Sequence, residues 1–125
     1  MDTVVIVDDE VHIRSLLEQT LEELQEDYAF EIVTAANGGD GLAVVQRERP
    51  RLVFLDVMMP VMNGYDVCKA IRADASLNET RVVMLTAKGQ EADRQRGLDV
   101  GVNHFMTKPF DPDEILKLAE TILKS

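Results

Sequence analysis

The sequence predicts an α/β domain with one parallel sheet covered by helices on both faces. Three observations predict it. Short apolar runs recur along the chain and alternate with longer stretches of helical spacing. The apolar runs are unbroken, as in strands buried on both faces. Turn-forming Gly, Asn and Pro fall between the two kinds of segment. Strands alternating with helices imply right-handed crossovers between parallel neighbours.

Thr3 to Val7 is rich in β-branched residues and reads as the first strand. It ends on Asp8-Asp9-Glu10. Val11 to Glu26 has helical spacing, with Ile13, Leu16, Leu17, Leu21 and Leu24 on one face and glutamates on the other. Phe30 to Ala36 reads as the second strand. Asn37 to Gly41 should turn the chain, and Leu42 to Arg49 should form a short helix stopped before Pro50. The glycines at 38, 39 and 41 lack the GxGxxG spacing of a nucleotide loop. Leu52 to Asp56 is the third strand, four apolar residues ending on one carboxylate. Pro60 and Asn63-Gly64 force a loop beside it, and Gly64 to Ala73 forms a helix burying Val67, Cys68 and Ile71. Arg81 to Thr86 is the fourth strand. A polar helix runs from about Gln90 to Val100 and closes at Gly101. His104 to Thr107 is the fifth strand. Asp111-Pro112-Asp113-Glu114 starts the last helix, with Pro and acids where a first turn favours them.

At 125 residues the chain is of single-domain size, so residues 1–125 are expected to form one domain. A net charge of −10 points away from a nucleic-acid backbone and toward a cation or a neutral or basic protein surface. A single cysteine excludes an internal disulfide and fits a reducing, cytoplasmic compartment. No apolar run has the length of a membrane span. His12 and His104 lack ligand spacing and read as structural, and the methionines read as core or loop filler.

The chemistry collects at the strand ends. The first strand presents Asp8 and Asp9, the third Asp56, the fourth Thr86, the fifth Lys108. In a doubly wound sheet these ends share the edge where ligands bind. Carboxylates gathered there repel one another unless a divalent cation joins them, and an all-oxygen site with few protein ligands suits Mg²⁺. Lys108 offers a point positive charge and Thr86 a hydroxyl. The set fits transfer of a phosphoryl group onto a carboxylate.

Val7-Asp8-Asp9-Glu10, Leu55 to Pro60, Asn63-Gly64, Leu85-Thr86-Ala87 and Phe105 to Phe110 together resemble the response-regulator receiver domain, the phosphoacceptor module of two-component signalling. The resemblance runs the whole length in order. It implies a flavodoxin-like fold with strand order 2-1-3-4-5. It makes Asp56 the phosphoacceptor, and Asp8, Asp9, Asp56 and the Met58 carbonyl the Mg²⁺ ligands. It implies a cis Lys108-Pro109 bond that aims the lysine inward, and a switch made of Thr86 and Phe105. Core packing is the competing reading of Phe105.

The implied partners are a histidine kinase or phosphotransfer protein, a downstream effector and a second copy of the chain. That copy would dock on the face of the fourth helix, fifth strand and fifth helix. The domain is expected to catalyse only its own phosphorylation and dephosphorylation. Met58 and Lys88 should flank the attacking water and make the phosphorylated state long-lived. A phosphatase with an aspartyl-phosphate intermediate is the competing activity, but it needs an acid where Met58 stands. The last helix lacks the arginine-rich pattern of receivers attached to winged-helix DNA-binding domains.

Overall fold

The computed structural model describes residues 2–87 and 94–125. The elements are β1 (Asp2–Val7), α1 (Val11–Glu22), β2 (Phe30–Ala35), α2 (Gly38–Glu48), β3 (Leu52–Asp56), α3 (Gly64–Ala73), β4 (Arg81–Thr86), α4 (Arg94–Asp99), β5 (His104–Thr107) and α5 (Pro112–Leu123). The strands form one parallel sheet in the order β2-β1-β3-β4-β5. This is the flavodoxin-like arrangement the resemblance implied.

The unbroken apolar runs follow from a sheet buried on both sides. Val4 and Ile6 of β1, with Leu52 and Phe54 of β3, pack toward Leu17 and Leu21 of α1 and Ile115 and Ala119 of α5. Val5 and Val7, with Val53 and Leu55, pack on the other face with Val45 of α2 and Val67, Cys68 and Ile71 of α3. Burying each such side chain stabilises the fold by roughly 1.5–3 kcal/mol before entropy is counted. Burial also pushes the Cys68 thiol up to about 11, and its Sγ donates to the Val100 carbonyl at 3.3 Å. Among the described residues no helix is long and apolar enough to cross a membrane.

Element boundaries differ from expectation in several places, and three of them carry a physical reason or bear on the site. The first helical stretch is not one α-helix to Glu26, because Glu23–Glu26 tightens into a 3-10 turn. Leu24 stays buried there, and its carbonyl accepts from Tyr28 N at 2.9 Å, which closes the turn into β2. The glycines after Asn37 do not form a loop; α2 starts at Gly38 rather than Leu42. Asn37 caps it, accepting from Asp40 N at 2.8 Å. The glycines serve close packing instead: a Cβ at Gly38 would collide with the Met62 carbonyl, and one at Gly41 would lie 2.6 Å from Val7 Cγ1. The second strand stops at Ala35 rather than Ala36. Gln90, the expected start of the fourth helix, lies outside the described residues.

Candidate functional site

Parallel pairing sends every carboxyl end to one edge. Val7 pairs with Leu55, Asp56 with Leu85, and Thr86 with Thr107. Asp8, Asp56, Thr86 and Lys108 are therefore brought to that edge by register alone.

Asp8 is 0% exposed and Asp56 3%. Buried carboxylates are costly unless a charge answers them. The answer is Lys108, whose Nζ lies 3.1 Å from Asp8 Oδ2, 3.1 Å from Glu10 Oε1 and 3.2 Å from Asp56 Oδ1. The Lys108-Pro109 bond is cis, as the resemblance implied, and the Lys108 amide donates to the Thr86 carbonyl at 2.7 Å.

Asp8 is also held by its neighbours. Its Oδ1 accepts from Glu10 N at 2.8 Å, and Arg14 Nη1 donates to its carbonyl at 2.7 Å. Its Oδ2 is different. The ammonium is near it but outside hydrogen-bond geometry, so among the described residues this buried oxygen has no hydrogen bond.

Charge is unbalanced. Asp8, Glu10 and Asp56 share one ammonium, and Asp9 stands beside them; carboxylate oxygens of all four lie within 4.8 Å of one another. Burial first, then repulsion from Asp8, pushes Asp56 up to about 7, against the pull of Lys108 and a bond from the Met58 amide. Burial likewise raises Asp8, against the Glu10 amide and Lys108. Burial alone would lower Lys108, but Asp8, Asp56 and Glu10 outweigh it and raise it. Such an edge favours a hard cation with oxygen ligands, and Asp8 Oδ2, ion-paired with Lys108 but without a hydrogen bond, is a ligand atom that fits one.

Not every expected residue touches the cluster. Thr86 is buried, but its hydroxyl donates to the Met106 carbonyl at 3.4 Å and meets Thr107 Oγ1 at 3.4 Å. It makes no hydrogen bond to Asp56. Both contacts are long, hence weak. Phe105 is half-buried on β5, with the Arg94 guanidinium carbon 4.9 Å from its ring centroid. The Met58 side chain is 64% exposed, which suits a residue lending only backbone. Lys88 lies outside the described residues. His12 and His104 are exposed and stand outside the acidic cluster. Glu10 is the site residue that sequence reasoning did not single out. The available signal was its place directly after the Asp pair.

A family model described as the response regulator receiver domain matches residues 4–120. The probable transcriptional regulator ycf27 of Cyanophora paradoxa is 40% identical over 121 residues, covering 97% of this chain and 48% of that protein. The alkaline phosphatase synthesis transcriptional regulatory protein PhoP of Bacillus subtilis is 37% identical, again over 97% of this chain and 48% of its own length. The chain thus spans about half the length of these curated relatives. Among solved structures, the chemotaxis response regulator CheY4 of Vibrio cholerae superposes with a TM-score of 0.86 at 35% identity, covering 98% of this chain and 99% of that one.

Proposed function

The chain belongs to the response regulator receiver domain family, and from that premise we propose that Asp56 accepts a phosphoryl group from a phosphohistidine. The donor is a histidine kinase or phosphotransfer protein. The observation that carries the reading is Lys108 Nζ 3.2 Å from Asp56 Oδ1 and 3.1 Å from the buried Asp8 Oδ2, which has no hydrogen bond.

The residues would act as follows. Asp56 is the nucleophile, and its buried seat keeps competing water away. Lys108 leaves its carboxylates to bind an oxygen of the incoming group, offsetting charge as the phosphoryl moves. Asp8, Asp9, Asp56 and the Met58 carbonyl would hold Mg²⁺. When bound, the metal would supply positive charge to offset that on the phosphoryl oxygens. The domain acts on no separate substrate; it transfers the group to itself and later hydrolyses it.

The output is a switched surface. A phosphoryl oxygen on Asp56 attracts the weakly held Thr86 hydroxyl. Phe105 then moves into the space Thr86 leaves, which shifts a two-state equilibrium on the face of α4, β5 and α5. A groove of about 440 Å³ runs there, lined in part by Leu98, Phe105, Lys117 and Leu118. It is where we place the downstream effector or a second copy. The setting is cytoplasmic.

The test is intact mass after acetyl phosphate treatment, with Mg²⁺ and with EDTA. One added phosphate with Mg²⁺, absent in EDTA and absent in Asp56→Asn, is the expected result. An added phosphate in Asp56→Asn would overturn the assignment.

A further inference from the structure

The Phe105 ring is held by α4 from two directions. Arg94 places its guanidinium carbon 4.9 Å from the ring centroid. Gly97 supplies bare backbone below it. A Cβ on residue 97 would lie 2.6 Å from Phe105 Cζ and 2.7 Å from Cε1, with Val102 Cγ2 at 3.6 Å. Real Cβ atoms do not approach that closely, and the obstruction is a rigid ring. Residue 97 is therefore glycine-only while the ring is where it is. Glycine inside a helix is otherwise unfavourable relative to alanine. The residue that weakens α4 is the one that admits the ring.

We propose that Arg94 and Gly97 form a seat that holds Phe105 in its unphosphorylated position, so that switching must lift the ring off α4. This rests on the switching role given to Phe105 above and adds what opposes that switch. Attraction comes from the cation over the ring face. Shape comes from the missing methyl. Neither residue touches the acidic cluster, so both act as positioning residues for Phe105. A second contact, Arg96 over Tyr65 of α3 at 4.3 Å, keeps α4 tied to the domain when the ring leaves.

Three outcomes follow for Gly97→Ala. The seated ring is displaced, so the resting population moves toward the switched state. Uptake of phosphate from acetyl phosphate rises about three- to tenfold, as expected when a pre-existing equilibrium is tilted. Stability falls, yet in a Phe105→Ala background the same substitution raises Tm, because only the ring was in the way and alanine is the better helix former. Arg94→Met keeps the length, loses the charge, and shifts the ring the same way by less.

The experiment uses the chain with ring-¹³C phenylalanine, assigned with Phe105→Leu. Ring signals are followed with and without Mg²⁺ and beryllofluoride, an aspartyl-phosphate mimic. Expected is a Gly97→Ala signal for Phe105 displaced toward the beryllofluoride position before any mimic is added. A Phe105 signal unchanged in Gly97→Ala, or an equal loss of Tm with and without the Phe105 ring, overturns the seat. If Gly97→Ala does not fold, an unchanged ring signal in Arg94→Met overturns it. If the wild-type ring does not move although beryllofluoride is bound, the switching role fails instead, and the contact is packing alone.

Discussion

Glu10 and Lys108 are 98 residues apart in sequence, and Lys108 Nζ donates to Glu10 Oε1 at 3.1 Å. Glu10 is exposed, so this pair adds little to stability. Its effect is on the approach of an anion. Glu10 occupies the lysine and places a negative charge beside the phosphoryl path. Glu10→Gln should therefore raise acetyl phosphate uptake at saturating Mg²⁺ by roughly threefold, while Tm moves little. Uptake that falls would show that Glu10 serves the metal rather than restraining Lys108.

Asp56 carries a pH signature. Its pKa is pushed up to about 7 by burial and then by Asp8, so the folded state prefers the protonated carboxyl. A raised folded value means this stability is full below the ordinary carboxylate range and is lost as pH rises through about 7. Asp56→Asn imitates the protonated form. Without divalent cation, the mutant should be more stable than wild type by about 2 kcal/mol at pH 8 and equal to it near pH 4. Chemical denaturation at both pH values checks this; a difference independent of pH refutes it.

A cation at the same edge should narrow that gap. Millimolar Mg²⁺ should stabilise the wild type at pH 8 by about 1 kcal/mol, as a weak ligand of the folded state does. The gain should fade as pH drops through about 7, because protons compete for Asp56. Asp8→Asn should lose most of it. Calorimetric titration and Tm measured with and without Mg²⁺ give the comparison; an equal gain in Asp8→Asn would place the ion elsewhere.

Val61 has φ 69, a left-handed backbone that a β-branched side chain tolerates poorly, and it is fully exposed. Nothing in its burial compensates the strain. Val61→Asn should raise stability by about 1 kcal/mol, since Asn accepts this conformation. A drop in Tm would mean that the loop after β3 needs valine for another reason.

The fold was legible because its signal is redundant. Every strand but the second ends on or beside a polar residue, and the parallel sheet aligns those ends, so Asp8, Asp56, Thr86 and Lys108 could be gathered from the sequence. What escaped depends on contacts between distant segments. Gly38 and Gly41 read as a turn because their neighbours, Met62 and Val7, are not local in sequence. Glu10 escaped because an exposed glutamate at a helix start looks like a dipole companion until a lysine is found over it. Arg94 and Gly97 escaped for the same reason: the ring they hold arrives from the next strand. The last helix pointed away from receivers attached to winged-helix DNA-binding domains; the curated relatives above carry the names of transcriptional regulators, and this chain spans about half their length.

The two-faced core has a further consequence for how the sheet keeps its alignment. β3 is apolar on both sides, so sliding it by one residue would exchange one oily face for another at small hydrophobic cost. Oil does not choose among such alignments. The carboxylates do. A slip that drew Asp56 inward past Leu85 would leave a charge among Val and Leu, beyond the reach of Lys108, at a cost of several kcal/mol. The acids at the strand ends thus act as stops against misthreading, and the residues assigned here to chemistry also tell the chain where each strand must halt.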